Sequence, residues 1–329
     1  MTVIEISPWI NLNGTLAIRC QLLGLIRIRE AYTFGSDIGN PLSVMEAPSL
    51  QSLQTHYASR LKQFQNSNHN FEVLASITHN SHDAAASPDV LYVLDSSFNP
   101  PTLAHRRIAC SALLETSSAS PRLLLLLATQ NADKPSKPAS FEDRLTMMDL
   151  FARDLLSHLQ ATSPANNRHT LSAVDVAVTK KPYFVDKAAE IEKAGVYPQS
   201  LEQIHLTGYD TLIRIFDPKY YPPEHTLKSL EPFLSQHRLR VTLRPDSSWG
   251  SRDEQEAFLR DLAEGRKDDI GGKREWAQRI QLVEGRKPGA PSVSSTKARE
   301  AVTANPQGLE WLVPSNIQEM ILSEQLYAN

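Results

Sequence analysis

The feature that most restricts the fold of this chain is a regular alternation, from Val90 onward, between short apolar runs and longer segments with helical spacing. Apolar runs without polar alternation are typical of strands buried on both faces, and intervening helices connect such strands in parallel. The sequence therefore predicts an α/β fold with a doubly wound parallel sheet. The predicted strands lie at 90–94, 123–129, 171–178, 203–207, 238–243 and, more weakly, 280–284, and the predicted helices at 102–116, 140–157, 184–194, 209–215 and after Ser294 and Pro314.

A change of composition separates this region from what precedes it. Residues 78–88, "THNSHDAAASP", have the small and polar character of a linker, so we expect the catalytic domain to span residues 88–329. Residues 46–80 are predicted to form an amphipathic helix docked on that domain, and residues 1–45 are an unassigned N-terminal extension. The apolar positions of the helix are Leu50, Leu53, Tyr57, Leu61 and Phe64.

Composition excludes several classes of protein. A formal charge of −3 from 34 basic and 37 acidic residues gives no reason to expect a nucleic acid partner. Two cysteines far apart in sequence argue against a cysteine metal site. The apolar run from Thr15 to Ile28 is too short to span a bilayer and contains two arginines, and the N-terminus lacks the basic start of a secretory signal. We expect a cytoplasmic or nuclear protein, or both, without a membrane partner.

The first loop after a strand combines turn residues with a titratable ring. "LDSSFNPPTLAH" runs from the end of the first strand to His105, which follows Thr102 by three residues at the start of a helix. Ligands of such folds bind beyond the carboxyl ends of the strands, where helix N-termini present free N–H groups. A cationic or hydrogen-bond-donating imidazole there suits a phosphate. The alternative is that His105 only caps the helix or packs.

A second helix start has similar chemistry near the other end of the domain. Ser294, Ser295 and Thr296 are N-cap-type residues, and Arg299 lies one turn further on. Hydroxyls, free N–H groups and a guanidinium together form a cradle for an anion, although a well-capped surface helix has the same pattern. Two such starts in one domain predict a triphosphate across the switch point of the sheet. The sequence contains neither a Walker A motif nor G-x-G-x-x-G after a strand.

These segments resemble the nicotinamide or nicotinate mononucleotide adenylyltransferase family, within the nucleotidyltransferases that carry an H-x-G-H-type motif, and indicate a divergent, fungal-like member. The first loop of the family, G-x-F-x-P-x-[HT]-x-x-H, is similar to residues 96–105, and its I-S-S-T-x-x-R is similar to residues 293–299. Further similar segments are "ASFEDRLTMMDL" from Ala139, "KPYFVD" from Lys181, "LTGYDTL" from Leu206 and "LVPSNIQEMILSEQLY" from Leu312.

The sequence departs from the family pattern at three places. Ser96 stands where the family has its first glycine, and Thr102 and Ala104 replace the first histidine and the glycine of H-x-G-H. Lys187 occupies the position of a threonine in the segment that faces the pyridine ring. The last departure bears on which acceptor is used.

The resemblance implies direct in-line attack of a mononucleotide phosphate on ATP, with Mg²⁺ arriving with ATP. It places His105, beside Thr102, on the ATP phosphates, and Lys134 on the acceptor phosphate. It assigns acceptor contacts also to Tyr183 and Asp186. The residues implied to bind ATP are Ser96, Ser97, Phe98, Asn99, His105, Gly208, Asp210, Ser294, Ser295, Thr296 and Arg299.

The leading hypothesis is therefore an enzyme that makes NAD from nicotinamide mononucleotide (NMN) and ATP. One alternative is a related transferase with another phosphorylated acceptor. Another is a regulatory protein that binds or hydrolyses ATP and has lost transfer. The expected partners are small-molecule nucleotides, and a homo-oligomer is left open.

Overall fold

A computed structural model describes residues 8–10, 16–18, 48–78, 87–130, 138–162, 171, 173–244, 249–285 and 290–328. The chain divides into two compact units, Met1–Ala47 and Pro48–Asn329. In the first unit, strands β1 (Pro8–Ile10) and β2 (Leu16–Ile18) pair antiparallel, with Pro8 opposite Ile18. The rest of the N-terminal extension, including Cys20, lies outside the described residues.

The second unit is built on a seven-stranded sheet. In chain order its strands are β3 (Phe71–Ile77), β4 (Val90–Asp95), β5 (Pro121–Ala128), β6 (Val174–Thr179), β7 (Gln203–Gly208), β8 (Arg238–Thr242) and β9 (Ile280–Val283). Their spatial order is β3-β6-β5-β4-β7-β8-β9, and every pairing is parallel except that of β3 with β6. The predicted doubly wound parallel sheet is confirmed.

Helices connect and cover these strands. In chain order they are α1 (Leu50–Asn66), α2 (Leu103–Leu114), α3 (Phe141–Thr162), α4 (Phe184–Lys193), α5 (Tyr209–Ile215), α6 (Glu231–Gln236), α7 (Arg252–Ala263), α8 (Ser295–Ala304) and α9 (Ser315–Ser323). Short 3₁₀ helices of one or two turns lie between several of them. None of the helices within the described ranges is both long and apolar enough to cross a bilayer.

The central strands are apolar throughout because both faces of the sheet are covered. Along β4, Val90, Tyr92 and Leu94 pack into a core with α1, α2, α3, α8 and α9, whereas Leu91 and Val93 pack into a core on the other face. A third core joins β8 to α5, α6 and α7. Because both faces of the sheet are covered by apolar side chains, we expect polar functional groups of this unit at the ends of its strands.

The order of the strands fixes where a ligand can bind. From β4 the chain moves outward through β5 to β6, and it then returns to β7 on the other side of β4. The connections after β4 and β7 therefore leave the sheet in opposite directions, which opens a crevice between Asp95 and Gly208 at the carboxyl ends of the two strands.

The second unit begins at Pro48, well before residue 88, where the sequence predicts the start of the catalytic domain. Helix α1 buries Leu53, Tyr57, Leu61 and Phe64 against the core, and β3 joins the sheet at its edge. Strand β3 is not among the predicted strands. It is an antiparallel edge strand with a register shift between Val73 and Ala75, so its apolar residues do not form the continuous run that marks the central strands.

Candidate active site

Two adjoining cavities lie at the carboxyl ends of β4 and β7. The histidine cavity, of about 550 Å³, is lined by His105, Gly208, Arg244 and Ser294 among others. The tyrosine cavity, of about 450 Å³, is lined by residues that include Tyr183, Lys187, Tyr220 and Arg299. The walls shared by both are Asp95, Ser96, Asp210, Thr211 and Ser295.

The two helix starts selected from the sequence are in direct contact across this cleft. Ser295 Oγ donates a hydrogen bond to the carbonyl oxygen of Pro100 at 2.8 Å, and Arg299 Nη1 donates one to the carbonyl oxygen of Asn99 at 2.7 Å. Near the C-terminus, the Tyr327 hydroxyl donates to Asn99 Oδ1 at 2.8 Å. The first loop is thus tied to the last part of the fold, and both helices begin at one cleft.

His105 is held by both of its ring nitrogens. The backbone N–H of Thr102 donates to His105 Nδ1 at 3.0 Å, so Nδ1 carries no proton and Nε2 carries the proton of the neutral ring. His105 Nε2 lies 2.9 Å from Ser96 Oγ, a hydroxyl that lines both cavities. Burial, with a smaller contribution from the Arg244 charge, lowers the pKa of His105 to about 4. The ring is therefore a neutral hydrogen-bond donor toward the cleft.

Helix α8 presents its first turn to the cleft. Ser294 is the N-cap residue, and its Oγ accepts a hydrogen bond from the Lys297 backbone N–H at 3.2 Å. Ser294 and Ser295 line the histidine cavity, and Ser295, Thr296 and Arg299 line the tyrosine cavity. The guanidinium of Arg299 also donates to Thr296 Oγ1 at 3.2 Å. Hydroxyls, a helix N-terminus and a guanidinium converge here, as an anion requires.

The turn between β7 and α5 brings a carboxylate under the cleft. Gly208 is the N-cap residue of α5, and a Cβ at this position would approach Asp210 Oδ1 to 2.7 Å. That oxygen accepts a hydrogen bond from Arg244 Nη1 at 2.8 Å. Arg244 is absent from the sequence-derived set of site residues. Arg244 follows the end of β8 by two residues. Because ligands bind beyond the carboxyl ends of the strands, its position in the sequence already indicates a site residue.

The tyrosine cavity holds aromatic and cationic side chains. The rings of Tyr183 and Tyr220 lie 6.5 Å apart between centroids. Arg144, only 1% exposed, donates through Nε to the Ala139 carbonyl oxygen at 3.0 Å, and its buried Nη2 has no hydrogen-bond partner among the described residues. Burial lowers the pKa of Arg144. Arg144 lies in the "FEDRLTMM" segment quoted for the family resemblance, which assigns it no role.

Within the described residues, two of the predicted site residues, Phe98 and Asp186, do not line the cleft. The Phe98 side chain is fully buried and packs behind the His105 ring, with centroids 5.5 Å apart. Asp186 is exposed in the first turn of α4. Lys134 lies outside the described residues. Thr102 is buried and lines the histidine cavity, while Ser97 and Asn99 line the tyrosine cavity.

Comparisons with known proteins give one strong match in sequence. No family model matches the chain. A Schizosaccharomyces pombe protein provisionally named nicotinamide mononucleotide adenylyltransferase is 32% identical over 273 residues, which is 82% of this chain and 96% of that protein.

Among solved structures, Plasmodium falciparum nicotinic acid mononucleotide adenylyltransferase complexed with NaAD is 13% identical, with a TM-score of 0.44, over 72% of this chain and 97% of that one. The same enzyme complexed with APC is 12% identical, with a TM-score of 0.43, over 72% of this chain and 96% of that one.

Proposed function

This chain belongs to the nicotinamide mononucleotide adenylyltransferase family, and we propose that it transfers the adenylyl group of ATP to NMN, giving NAD and pyrophosphate. One observation supports this proposal above the others. The loop that ends at His105 and the start of α8 meet at the switch point of the sheet, through Ser295–Pro100 and Arg299–Asn99 hydrogen bonds. Two helix N-termini at one cleft suit a chain of phosphates.

In this proposal the triphosphate of ATP lies between the two helix starts. The Nε2–H of His105 donates to a phosphate oxygen, with Thr102 holding the ring in the required tautomer. Ser294, Ser295 and Thr296 bind the departing β- and γ-phosphates through hydroxyls and backbone N–H groups, and Arg299 neutralises their charge. Mg²⁺ arrives with ATP and is held mainly by the phosphates.

The proposed transfer reaction depends on the positioning of its two substrates more than on acid or base catalysis. An oxygen of the mononucleotide 5′-phosphate attacks the α-phosphorus of ATP, and the bond from that phosphorus to the oxygen bridging to the β-phosphate breaks. The electron pair leaves with pyrophosphate, and no covalent intermediate with the protein forms. Gly208 lets the nucleotide approach the backbone, and Asp210 accepts hydrogen bonds from its ribose.

The tyrosine cavity is the site that we propose for the acceptor. Tyr183 and Tyr220 offer ring faces to a pyridinium, which is a cation and is attracted to aromatic faces. Lys134 remains the proposed contact of the acceptor phosphate. Asp186, exposed in the first turn of α4, also remains a proposed contact of the acceptor.

The test is an assay of the purified full chain with Mg-ATP and NMN, reading NAD and pyrophosphate together. We expect both products in equal amounts, and we expect His105→Ala to reduce kcat by about 10²- to 10³-fold, the loss typical of one transition-state donor. The matched control is His69→Ala, because the His69 side chain is exposed and lies on the turn between α1 and β3. It should leave the rate unchanged.

Other results would reject the proposal. Release of inorganic phosphate without a dinucleotide would indicate an ATP-hydrolysing protein instead. Transfer to a different phosphorylated acceptor, with no reaction of NMN, would indicate a related transferase. A loss of less than about tenfold in His105→Ala would remove His105 from its proposed role.

A further inference from the structure

The acceptor side of the cleft contains a buried ion pair. Lys187, in α4, donates a hydrogen bond from Nζ to Asp95 Oδ2, at the carboxyl end of β4. Their side chains are only 6% and 8% exposed, respectively. Both residues line the tyrosine cavity, and Asp95 also lines the histidine cavity. The pair therefore lies where the proposed acceptor meets the proposed ATP site.

Stability alone does not account for this pair. Burying two charges costs free energy of solvation that their attraction rarely exceeds, so a buried pair is weak evidence of stabilisation. Within the described part of the chain, Asp95 Oδ2 is the only hydrogen-bond acceptor of the Lys187 ammonium. Lys187 Nζ also lies over the Phe184 ring. The N–H bonds that face neither Asp95 nor this ring, together with Oδ1 of Asp95, thus remain for a ligand in the cavity.

The ammonium of Lys187 thus offers a hydrogen-bond donor beside an acceptor, the carboxylate of Asp95, and the pair as a whole has no net charge. A primary carboxamide has the complementary pair, since its carbonyl oxygen accepts from an ammonium while its N–H donates to a carboxylate. A carboxylate in the same place offers two acceptors and no donor, so it would bind Lys187 but repel Asp95. The Phe184 ring, 5.3 Å from Lys187 Nζ, and the neighbouring Tyr183 supply apolar walls for a flat ring that carries the amide.

We propose that the Asp95–Lys187 pair recognises the carboxamide of the acceptor and makes NMN a better substrate than nicotinate mononucleotide (NaMN). This inference rests on the proposed function. Under it, the two residues determine specificity and take no part in bond breaking, and the lysine that replaces the family's threonine in this sequence works together with the aspartate facing it.

The test is the ratio of kcat/KM for NMN to that for NaMN, measured with the full chain and Mg-ATP. A ratio within one protein does not depend on the fraction of active enzyme, so partial misfolding of a variant does not affect it. The wild type should prefer NMN by about tenfold or more, because like charges brought together in a partly desolvated site are strongly unfavourable.

Two variants should move this ratio in opposite directions. Asp95→Asn leaves the Lys187 charge unbalanced and removes the repulsion, so the ratio should fall about tenfold or more toward NaMN. Lys187→Met leaves a lone carboxylate, so the ratio should rise while NMN turnover falls. Asp154→Asn is the matched control, because Asp154 pairs with Arg106 at 3.1 Å and lines neither cavity. Its ratio should equal that of the wild type.

Each contrary outcome has a separate meaning. A wild type that uses NaMN as well as NMN, or an Asp95→Asn ratio within twofold of wild type, would overturn the inference and leave the proposed function standing. Parallel losses with both acceptors in both variants would show a purely structural pair and also overturn it. Failure of both mononucleotides to react would reject the proposed function, and this inference with it.

Discussion

His105 makes the capping contact that the sequence suggests, and its other ring nitrogen faces the cleft where we propose that phosphate binds. Its Nδ1 accepts the Thr102 N–H, which is a capping interaction, and its Nε2 is directed to Ser96 at the cleft. The residue types indicated a phosphate site, but the protonation state could not be read from them. That state depends on burial and on Arg244, which is 139 positions further along the chain and reaches the site only through the sheet.

The effect of Arg244 on His105 gives a prediction at this scale. Arg244→Gln should raise the pKa of His105 from about 4 toward its ordinary value of 6.5, because removing a positive charge makes the protonated ring less unfavourable. The pKa should stay below 6.5, since burial is the larger cause. An NMR titration of the imidazole protons measures the shift.

Arg238→Gln is the control for this titration. Arg238 is also on β8, but it pairs with Glu202 at 2.6 Å at the amino end of that strand. The His105 pKa should not change in this variant. An unchanged or lower pKa in Arg244→Gln would show that the two charges do not interact.

The elements of the second unit follow the sequence closely wherever both faces are buried. The six parallel strands were predicted from apolar runs, and α5 has the bounds that its spacing predicts. Helix α6 and the 3₁₀ turns were not predicted, because elements of one or two turns are too short to show a periodicity. Strand β3 was missed for a different reason: its apolar residues do not form the continuous run that marks the central strands, and its register shifts between Val73 and Ala75.

The docking of α1 can be tested through one buried hydroxyl. Tyr57 is fully buried, and its hydroxyl donates to Asp149 Oδ2, on α3, at 2.8 Å. Tyr57→Phe should lower the free energy of unfolding by about 1–3 kcal/mol, because the buried Asp149 carboxylate loses a donor. Urea denaturation of the full chain measures this change.

The control lies on the opposite face of the same helix. Ser59 is exposed, so Ser59→Ala should leave the free energy of unfolding within about 0.5 kcal/mol of the wild type. A Tyr57→Phe variant as stable as the wild type would mean that the hydroxyl contributes nothing to the docking of α1.

For the molecule as a whole, three histidines link folding to pH. Burial is the first cause in each case, and it lowers the pKa of His105 and His237 to about 4 and that of His205 well below its ordinary value. The unfolded chain therefore binds protons below pH 6.5 that the folded chain does not bind. By linkage, the stability of the folded state falls as the pH decreases from 6.5 toward 4.

The expected loss is about 1.4 kcal/mol per pH unit for each histidine in the middle of this range. Carboxylates such as Asp89, whose pKa is already below its ordinary value of 3.8, act mainly at lower pH. Thermal melting between pH 4.5 and 7.5 measures the slope, and His105→Asn should reduce it. A melting temperature that does not change between pH 6.5 and 5 would contradict the prediction.

At this scale the sequence predicted which segments meet but not the full composition of the site. The charged neighbours that complete it are Asp95 in β4, Arg144 in α3, Lys187 in α4 and Arg244 in the segment after β8. No local pattern marks them as a group. These four residues lie close together because the order of the strands in the sheet brings their elements to one cleft. Only the fold shows which of these charges are paired and which face the cleft.

The hydrogen bonds that close the cleft join residues very distant in sequence. Ser295 and Pro100 are 195 positions apart, and Tyr327 and Asn99 are 228 apart. Closing a loop of that length costs conformational entropy, so we expect these contacts to form late in folding. Under the proposed function, the strands would then assemble before the chain has affinity for a nucleotide. Capture of ATP would consequently report that folding is complete, and the captured ligand would stabilise the finished protein against reopening.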